Sequence, residues 1–451
     1  MTGPARLGVL VALVVAAAAT AGATPFVAAA VGALAPADFA RDYVTARARL
    51  VDGRGAPPPE GEGGNARAVQ FGAPEQLLYG APYHAHPPPA RLLVRPLGLL
   101  AWRTAALVWA AASLVALGWL AISLLRLAAP GAPPTARVAL AFVALALWPP
   151  VLHCLEKGQW SILLAALLAD GLVALTAGRQ RRAGVLFGLA AALKATPILL
   201  LGLLVLRHRR SAVAMATTVG LAVVASLAVD GTAPWRAFFG GAARNAAIWA
   251  PWTANTASLA GVTARLFGSP GPFARPLVAL PALAMGLYTA IVGAFVLAAL
   301  LALRRPNPLR STVAAWLALP VLANPLGWSH VLVMLLAPLA VALRSSSGTS
   351  PGSGSAASGA GAATRRIAWV ALIVFSIPRA TLSYLAGPIP VAPARGLVLG
   401  IPALAAATLF VALTLTTPSF SRADDARRKA CPHPDPLPQA GQGGGRTLDL
   451  P

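Results

Sequence analysis

Polar and apolar positions along this chain do not alternate; long uninterrupted apolar runs are separated by short charged or proline-rich breaks. The runs fall at residues 8–35, 104–125, 136–155, 160–177, 183–206, 211–229, 277–303, 313–323, 328–343, 367–387 and 397–416. About 20 apolar residues in helical form cross a bilayer core, whereas the strands of a membrane barrel alternate residue by residue. The pattern therefore predicts an all-α polytopic membrane protein. The first run is about twice as long as the apolar core of a signal peptide, so it is expected to remain as a first span. The runs at 313–323 and 328–343 are short and bounded by Pro320, Pro325 and Pro338. Proline removes a helical hydrogen bond, and these two segments are expected to be tilted, broken or buried within protein.

Composition supports this class. The chain is 57% hydrophobic and only 11% charged, with a mean hydropathy of +0.70, against about 25% charged residues in soluble domains. A net charge of +23 by itself suggests nucleic acid, but the arginines cluster between apolar runs, as in Arg179–Arg182, Arg207–Arg210 and Arg304–Arg310. Cytoplasmic loops of membrane proteins have that character, and no nucleic-acid partner is expected. Cys154 and Cys431 do not form a disulfide framework. Placing every arginine cluster inside requires 183–206 to dip into the membrane and return, breaking near Lys194-Ala-Thr-Pro197. The result is ten crossings plus one re-entrant or broken segment, with Asp38, His86, Glu156, Gln159, Asn255 and His330 sharing the non-cytoplasmic face.

The organisation that follows is a first span over 1–35, a polar outer loop over 36–103 and a bundle over 104–343. A Gly/Ser linker over 344–366, C-terminal spans over 367–416 and a disordered tail over 417–451 complete it. The insert Gly53–Gly64 is expected to be an exposed loop tip. Six of the thirteen carboxylates lie in the outer loop, where a charge beside the membrane must be paired, hydrated or functional.

Within that loop Asp38 and Asp42 are one helical turn apart and share a face, with Phe39 and Tyr43 beside them. Asp38 serves either as a helix cap or as a site carboxylate. A metal site of Asp38, Asp42, His84 and His86 is a weaker reading, because nothing fixes the spacing between the two pairs. The prolines after Tyr83-His84-Ala85-His86 predict extended, rigid backbone through Pro89. Gln159 sits in a tight turn, Glu156-Lys157-Gly158-Gln159-Trp160, where its amide offers a donor and an acceptor; Trp160 reads equally well as an interfacial anchor. Lys194 lies deep in an apolar run, either paired with Asp170 or reaching a lipid-linked phosphate. Asn255, Ser258 and Arg265 follow Trp249-Ala-Pro-Trp252, and Asn324-Pro-Leu-Gly-Trp-Ser-His330 forms another loop on the same expected face.

In order and spacing, a set of these pieces resembles glycosyltransferase family 87, polyprenol-phosphate-dependent mannosyltransferases of the integral-membrane GT-C class. The pieces are Asp38-Phe39, Tyr83 through Pro88, Gly158-Gln159, Ala183-Gly184 through Gly188, Lys194 and Pro197, then Asn255, Ser258 and Arg265, and finally Pro325 with Trp328-Ser-His330. The chain departs from that family at His86, Ser161 and Thr256. The resemblance implies transfer of a sugar, typically mannose, from a polyprenyl-phosphate donor to a cell-envelope glycan or glycolipid acceptor, with inversion, at the outer face of the cell (inner or plasma) membrane. Asp38 would be the general base. Asp42, His86 and Gln159 would support it, and Lys194, Asn255, Arg265 and His330 would hold the donor's phosphate or sugar. No cofactor is expected beyond the polyprenyl-phosphate co-substrate, with a divalent metal left open. The alternatives are a transporter or flippase of lipid-linked sugar, which would also carry broken helices and intramembrane charges, and an inactive interaction protein of the same fold.

Overall fold

The fold is that of a computed structural model, which describes residues 37–52, 61–73, 86–128, 135–240, 258–270, 276–304, 309–325, 327–344, 356–378, 381–382 and 392–415. The expected first span, Tyr83–Ala85, Asn255 and the C-terminal tail lie outside the described residues. Among the described residues the chain is helical throughout, with no strand.

In the polar loop run α1 (Ala37–Val51), α2 (Gly61–Gln70) and α3 (Pro88–Val94), followed by a 3-10 turn at Arg95–Leu99. The bundle continues with α4 (Trp102–Ala128), α5 (Thr135–Ala146), α6 (Pro149–Lys157), α7 (Ser161–Thr176), α8 (Gln180–Leu193), α9 (Leu200–Arg207) and α10 (Arg209–Asp230). Then come α11 (Leu259–Phe267), α12 (Pro281–Ala302), α13 (Leu309–Leu322), α14 (Leu336–Arg344), α15 (Ala356–Ser376) and α16 (Ala392–Leu415).

Among the described residues, four helices are long and apolar enough to cross a bilayer: Trp102–Ala128, Arg209–Asp230, Pro281–Ala302 and Val398–Leu415. A fifth crossing results if α5 and α6, bent by 72° at their junction, form one span. Other expected crossings are shorter or broken where the sequence carries proline. The run at 136–155 splits before Pro149-Pro150, and 183–206 ends as α-helix at Leu193, with Lys194 extended and a 3-10 turn over Thr196–Leu199. The run at 328–343 begins as a 3-10 helix, Ser329–Leu335, before α14.

Three expectations need correction. Pro88 and Pro89 open α3 instead of extending the backbone; of the three prolines, Pro87 alone is extended. First-turn amides have no helical acceptor in any case, so proline costs nothing there. Residues 61–64 of the supposed loop tip belong to α2, which is tied down by an Arg67–Asp52 ion pair of 2.8 Å and the burial of Ala68. The second half of the Gly/Ser linker, from Ala356, is the first part of α15. That stretch is alanine-rich, and extending a helix costs far less than nucleating one.

α7 is buried on nearly every side and packs between α4 and α8. α10 buries only Ser211, Ala212, Met215 and Ser226, and turns Val213, Leu221 and Val224 outward. This is the surface a lipid-facing helix requires. Against α8 it comes within backbone contact: a Cβ at Gly184 would collide with the Ser211 carbonyl oxygen, and one at Gly188 would sit 2.7 Å from Thr218 Cβ. Glycines allow helices to approach this closely in a membrane. The loop helices are clasped onto the bundle by Asp230 at the end of α10, which pairs with Arg49 at 3.0 Å and Arg95 at 3.7 Å.

Candidate active site

The geometry starts at Gly158. α6 ends there with φ +65° and ψ +40°, a left-handed conformation that glycine adopts without the Cβ clash of other residues. The reversal is closed by a Gln159 N–H bond to the Cys154 carbonyl at 2.8 Å, and the Gly158 carbonyl accepts the Trp109 indole N–H at 2.9 Å. Gln159 and Trp160 consequently project toward α1.

There they meet the two carboxylates. The Gln159 amide donates to Asp38 Oδ2, whose other oxygen accepts from Arg41 at 2.9 Å. One turn further along α1, Asp42 Oδ2 accepts from the Trp160 indole at 3.0 Å. Asp38 thus lies in the first turn of α1, where a negative charge suits the helix dipole, with its carboxylate held by side chains. Trp160 is 2% exposed; it is a buried ligand of Asp42, not the interfacial anchor its surroundings in sequence suggest.

An aromatic wall backs the carboxylates. Phe39 stacks on Trp109 at 4.9 Å, and Trp109 meets Trp160 edge-on at 4.6 Å. His86 lies 5.8 Å from the Trp160 ring, with Nε2 4.0 Å from Asp42 Oδ2. Tyr43 stands outside this wall, donating its hydroxyl to the Leu100 carbonyl.

Burial dominates the local electrostatics. It pushes the Asp42 carboxyl up to about 6, against the opposing effects of the Trp160 N–H and the Arg91 and Arg41 guanidiniums. It holds His86 down to about 3, helped by the Lys194 ammonium and opposed by Asp38, so this imidazole is neutral at pH 7.

Lys194 is half-buried at the break after α8, within Coulomb range of Asp38, His86, Cys154 and His330. Of the two readings of Lys194, the pairing with Asp170 is not formed. Asp170 takes Arg182 at 2.7 Å and the Trp119 indole at 3.3 Å, because Arg182, in the first turn of α8, reaches back along the hairpin with a long side chain. Among the described residues Lys194 makes no ion pair. His330 is buried beside His153, ring centroids 5.6 Å apart, and its carbonyl accepts the Cys154 thiol. His153 in turn shares a hydrogen bond of 2.7 Å with Ser329.

Asp38, Asp42, His86 and Gln159 therefore come together, and Lys194 and His330 lie within Coulomb range of His86. Arg265 is buried in α11, whose neighbours are α12 and α16; its guanidinium faces Gly400. The N-cap of that helix, Ser258, donates to the Pro325 carbonyl at 2.8 Å and so ties α11 to the loop carrying His330. Sequence reasoning overlooked Arg41 and His153. Arg41 was accessible from its three-residue spacing to Asp38 on a helix; nothing local to His153 signals that it faces residue 330. Among the described residues, no three His, Cys, Asp or Glu side chains are placed to hold a metal ion.

The family model for glycosyltransferase family 87 matches residues 83–323, more than half of the chain. The chain belongs to glycosyltransferase family 87. No curated protein and no solved structure matches it. The family match takes in His86, Gln159, Lys194 and Arg265, whereas Asp38, Asp42 and His330 lie beyond its ends and join the site through the fold. Membership of family 87 and the apolar helices make this a membrane glycosyltransferase.

Proposed function

We propose that this glycosyltransferase moves mannose from a polyprenyl-phosphate donor to a glycan or glycolipid acceptor of the cell envelope, at the non-cytoplasmic face of the cell membrane. The observation that carries the reading is that a held carboxylate, Asp38, lies within Coulomb range of an ammonium, Lys194, which is itself within Coulomb range of an imidazole, His330. They come from three distant parts of the chain.

Inverting transfer needs one base at the attacking hydroxyl and cationic or donor groups at the departing phosphate. In this reading Asp38 takes the proton as the acceptor oxygen attacks the anomeric carbon. The bond from that carbon to the phosphate oxygen breaks, and Lys194 and His330 receive the released charge. Arg41 and Gln159 fix the Asp38 carboxylate so that no reorientation is required during the reaction. Arg265 and Asn255 are assigned to the donor on the family resemblance alone.

The test is sugar transfer by the purified protein in proteoliposomes supplied with polyprenyl-phosphate mannose. A hydrogen bond to a charged group contributes about 1.5–3 kcal/mol, so Lys194→Met is expected to raise the donor KM about 10- to 100-fold. An unchanged donor KM would remove Lys194 from the donor site. Translocation of the lipid without transfer would establish a transporter instead.

A further inference from the structure

Asp42 and His86 have no part in the displacement just described, yet both are built into the site. Each is largely buried, with side chains 16% and 9% exposed. Asp42 Oδ2 and His86 Nε2 face each other at 4.0 Å, too far for a direct hydrogen bond. An oxygen about 2.8 Å from each can bridge them from the side, off the line that joins them. The other ring nitrogen of His86, Nδ1, is buried with no hydrogen-bond partner among the described residues. A neutral imidazole has one N–H and one lone pair; with the proton on Nε2, only the lone pair is left at Nδ1.

The position of this gap is informative. Asp38 and Asp42 are at i and i+4 on one face of α1, with Cβ atoms about 5–6 Å apart, and both point at the same turn, one to Gln159 and the other to Trp160. Two carboxylates at that spacing suit two hydroxyls of a single sugar ring.

Resting on the glycosyltransfer reading, we propose that Asp42 and His86 form a second hydroxyl subsite for the acceptor sugar. A free hydroxyl close to the one attacked donates to Asp42 Oδ2 and accepts from His86 Nε2–H. The acceptor class is then a sugar with at least two free, nearby hydroxyls, and removal of the second weakens recognition without touching the reacting oxygen. The neutrality of His86 fits a hydroxyl partner better than the donor phosphate.

The experiment pairs acceptor deletions with enzyme deletions. Wild type, Asp42→Asn and His86→Gln are assayed in proteoliposomes with polyprenyl-phosphate mannose and an alkyl mannoside series in which each hydroxyl is replaced by hydrogen in turn. Donor binding is measured in parallel to show that each variant is folded. For wild type, one non-reacting deoxy position is expected to lower kcat/KM about 10- to 100-fold, the value of a hydrogen bond to a charged group. For both variants the parent acceptor is expected to be poorer, mainly in acceptor KM, with the penalty of that same deoxy position reduced to less than about 3-fold, because the partner group is already gone. Variants that bind donor normally and keep the full deoxy penalty would overturn the subsite. Wild type that transfers to no member of the series would overturn the glycosyltransfer reading, and the subsite with it.

Discussion

Replacing Asp38 by Asn separates a chemical role from a structural one, because the two predict losses of different size. The carboxylate makes two contacts, an ion pair with Arg41 and an amide bond from Gln159. The ion pair is partly solvated, at 17% and 22% exposure, and is worth at most about 1 kcal/mol. The Gln159 bond survives to a neutral amide once the Gln159 side chain rotates, at a loss of about 1 kcal/mol. The fold should therefore lose about 1–2 kcal/mol. A general base contributes about 10²- to 10⁴-fold, equivalent to about 3–5 kcal/mol of barrier. The expected result is a fall in kcat of at least about 100-fold with donor KM little changed and a stability loss well below the kinetic one. Single-turnover transfer and thermal unfolding of the same proteoliposome preparations provide both numbers. If Asp38→Asn turns over within about threefold of wild type while stability falls as calculated, Asp38 is a structural residue and the proposed mechanism fails.

Other perturbations test neighbouring parts of the structure. Gly158→Ala forces a Cβ into the left-handed region, costing about 1–2 kcal/mol and displacing Gln159; thermal unfolding and transfer should both decline, and Gly158→Asn should lose less because Asn tolerates that region better. Asp230→Asn removes the partner of Arg49, with both side chains under 10% exposed, and should destabilise by about 3–5 kcal/mol, read by thermal unfolding and by protease release of the outer loop. The pH dependence follows from Asp42, whose neighbours are His86, Trp160, Arg91, Arg41 and, one turn away, Asp38. With its carboxyl raised from 3.8 to about 6, the folded protein holds a proton that the unfolded chain has released. That contribution to stability is complete below the unfolded value and is lost as pH rises through about 6. Acceptor recognition runs the other way, so acceptor KM should increase as pH falls through about 6, and this dependence should be absent in Asp42→Asn. A limb unchanged in Asp42→Asn would assign it to another group.

Some of the site was visible in the sequence for local reasons. Asp38 and Asp42 share a face because helical periodicity places them there, and the tight turn at Gly158 follows from the one residue type that takes φ +65° freely. The break at Lys194 was legible from Pro197. The readings that failed depended on reach through space. Depth along separate runs made Lys194 one candidate partner for Asp170; the α7–α8 hairpin brings Arg182 there instead. Trp160 read equally well as an interfacial anchor because its own neighbours carry no hint of Asp42, 118 residues earlier.

Sequence alone determined that this is a helical membrane protein, where its helices must break, and which residues are costly enough beside lipid to require a partner. Those are consequences of hydropathy, of proline's missing amide and of the price of burying charge, all set within a turn or two of chain. Tertiary structure decided the partners: Gln159 for Asp38, Trp160 and His86 for Asp42, Arg182 for Asp170, and Lys194 left to face the carboxylate side. Pairing between residues 12 to 121 positions apart depends on how helices pack and at what depth their side chains meet, and no local pattern carries that information.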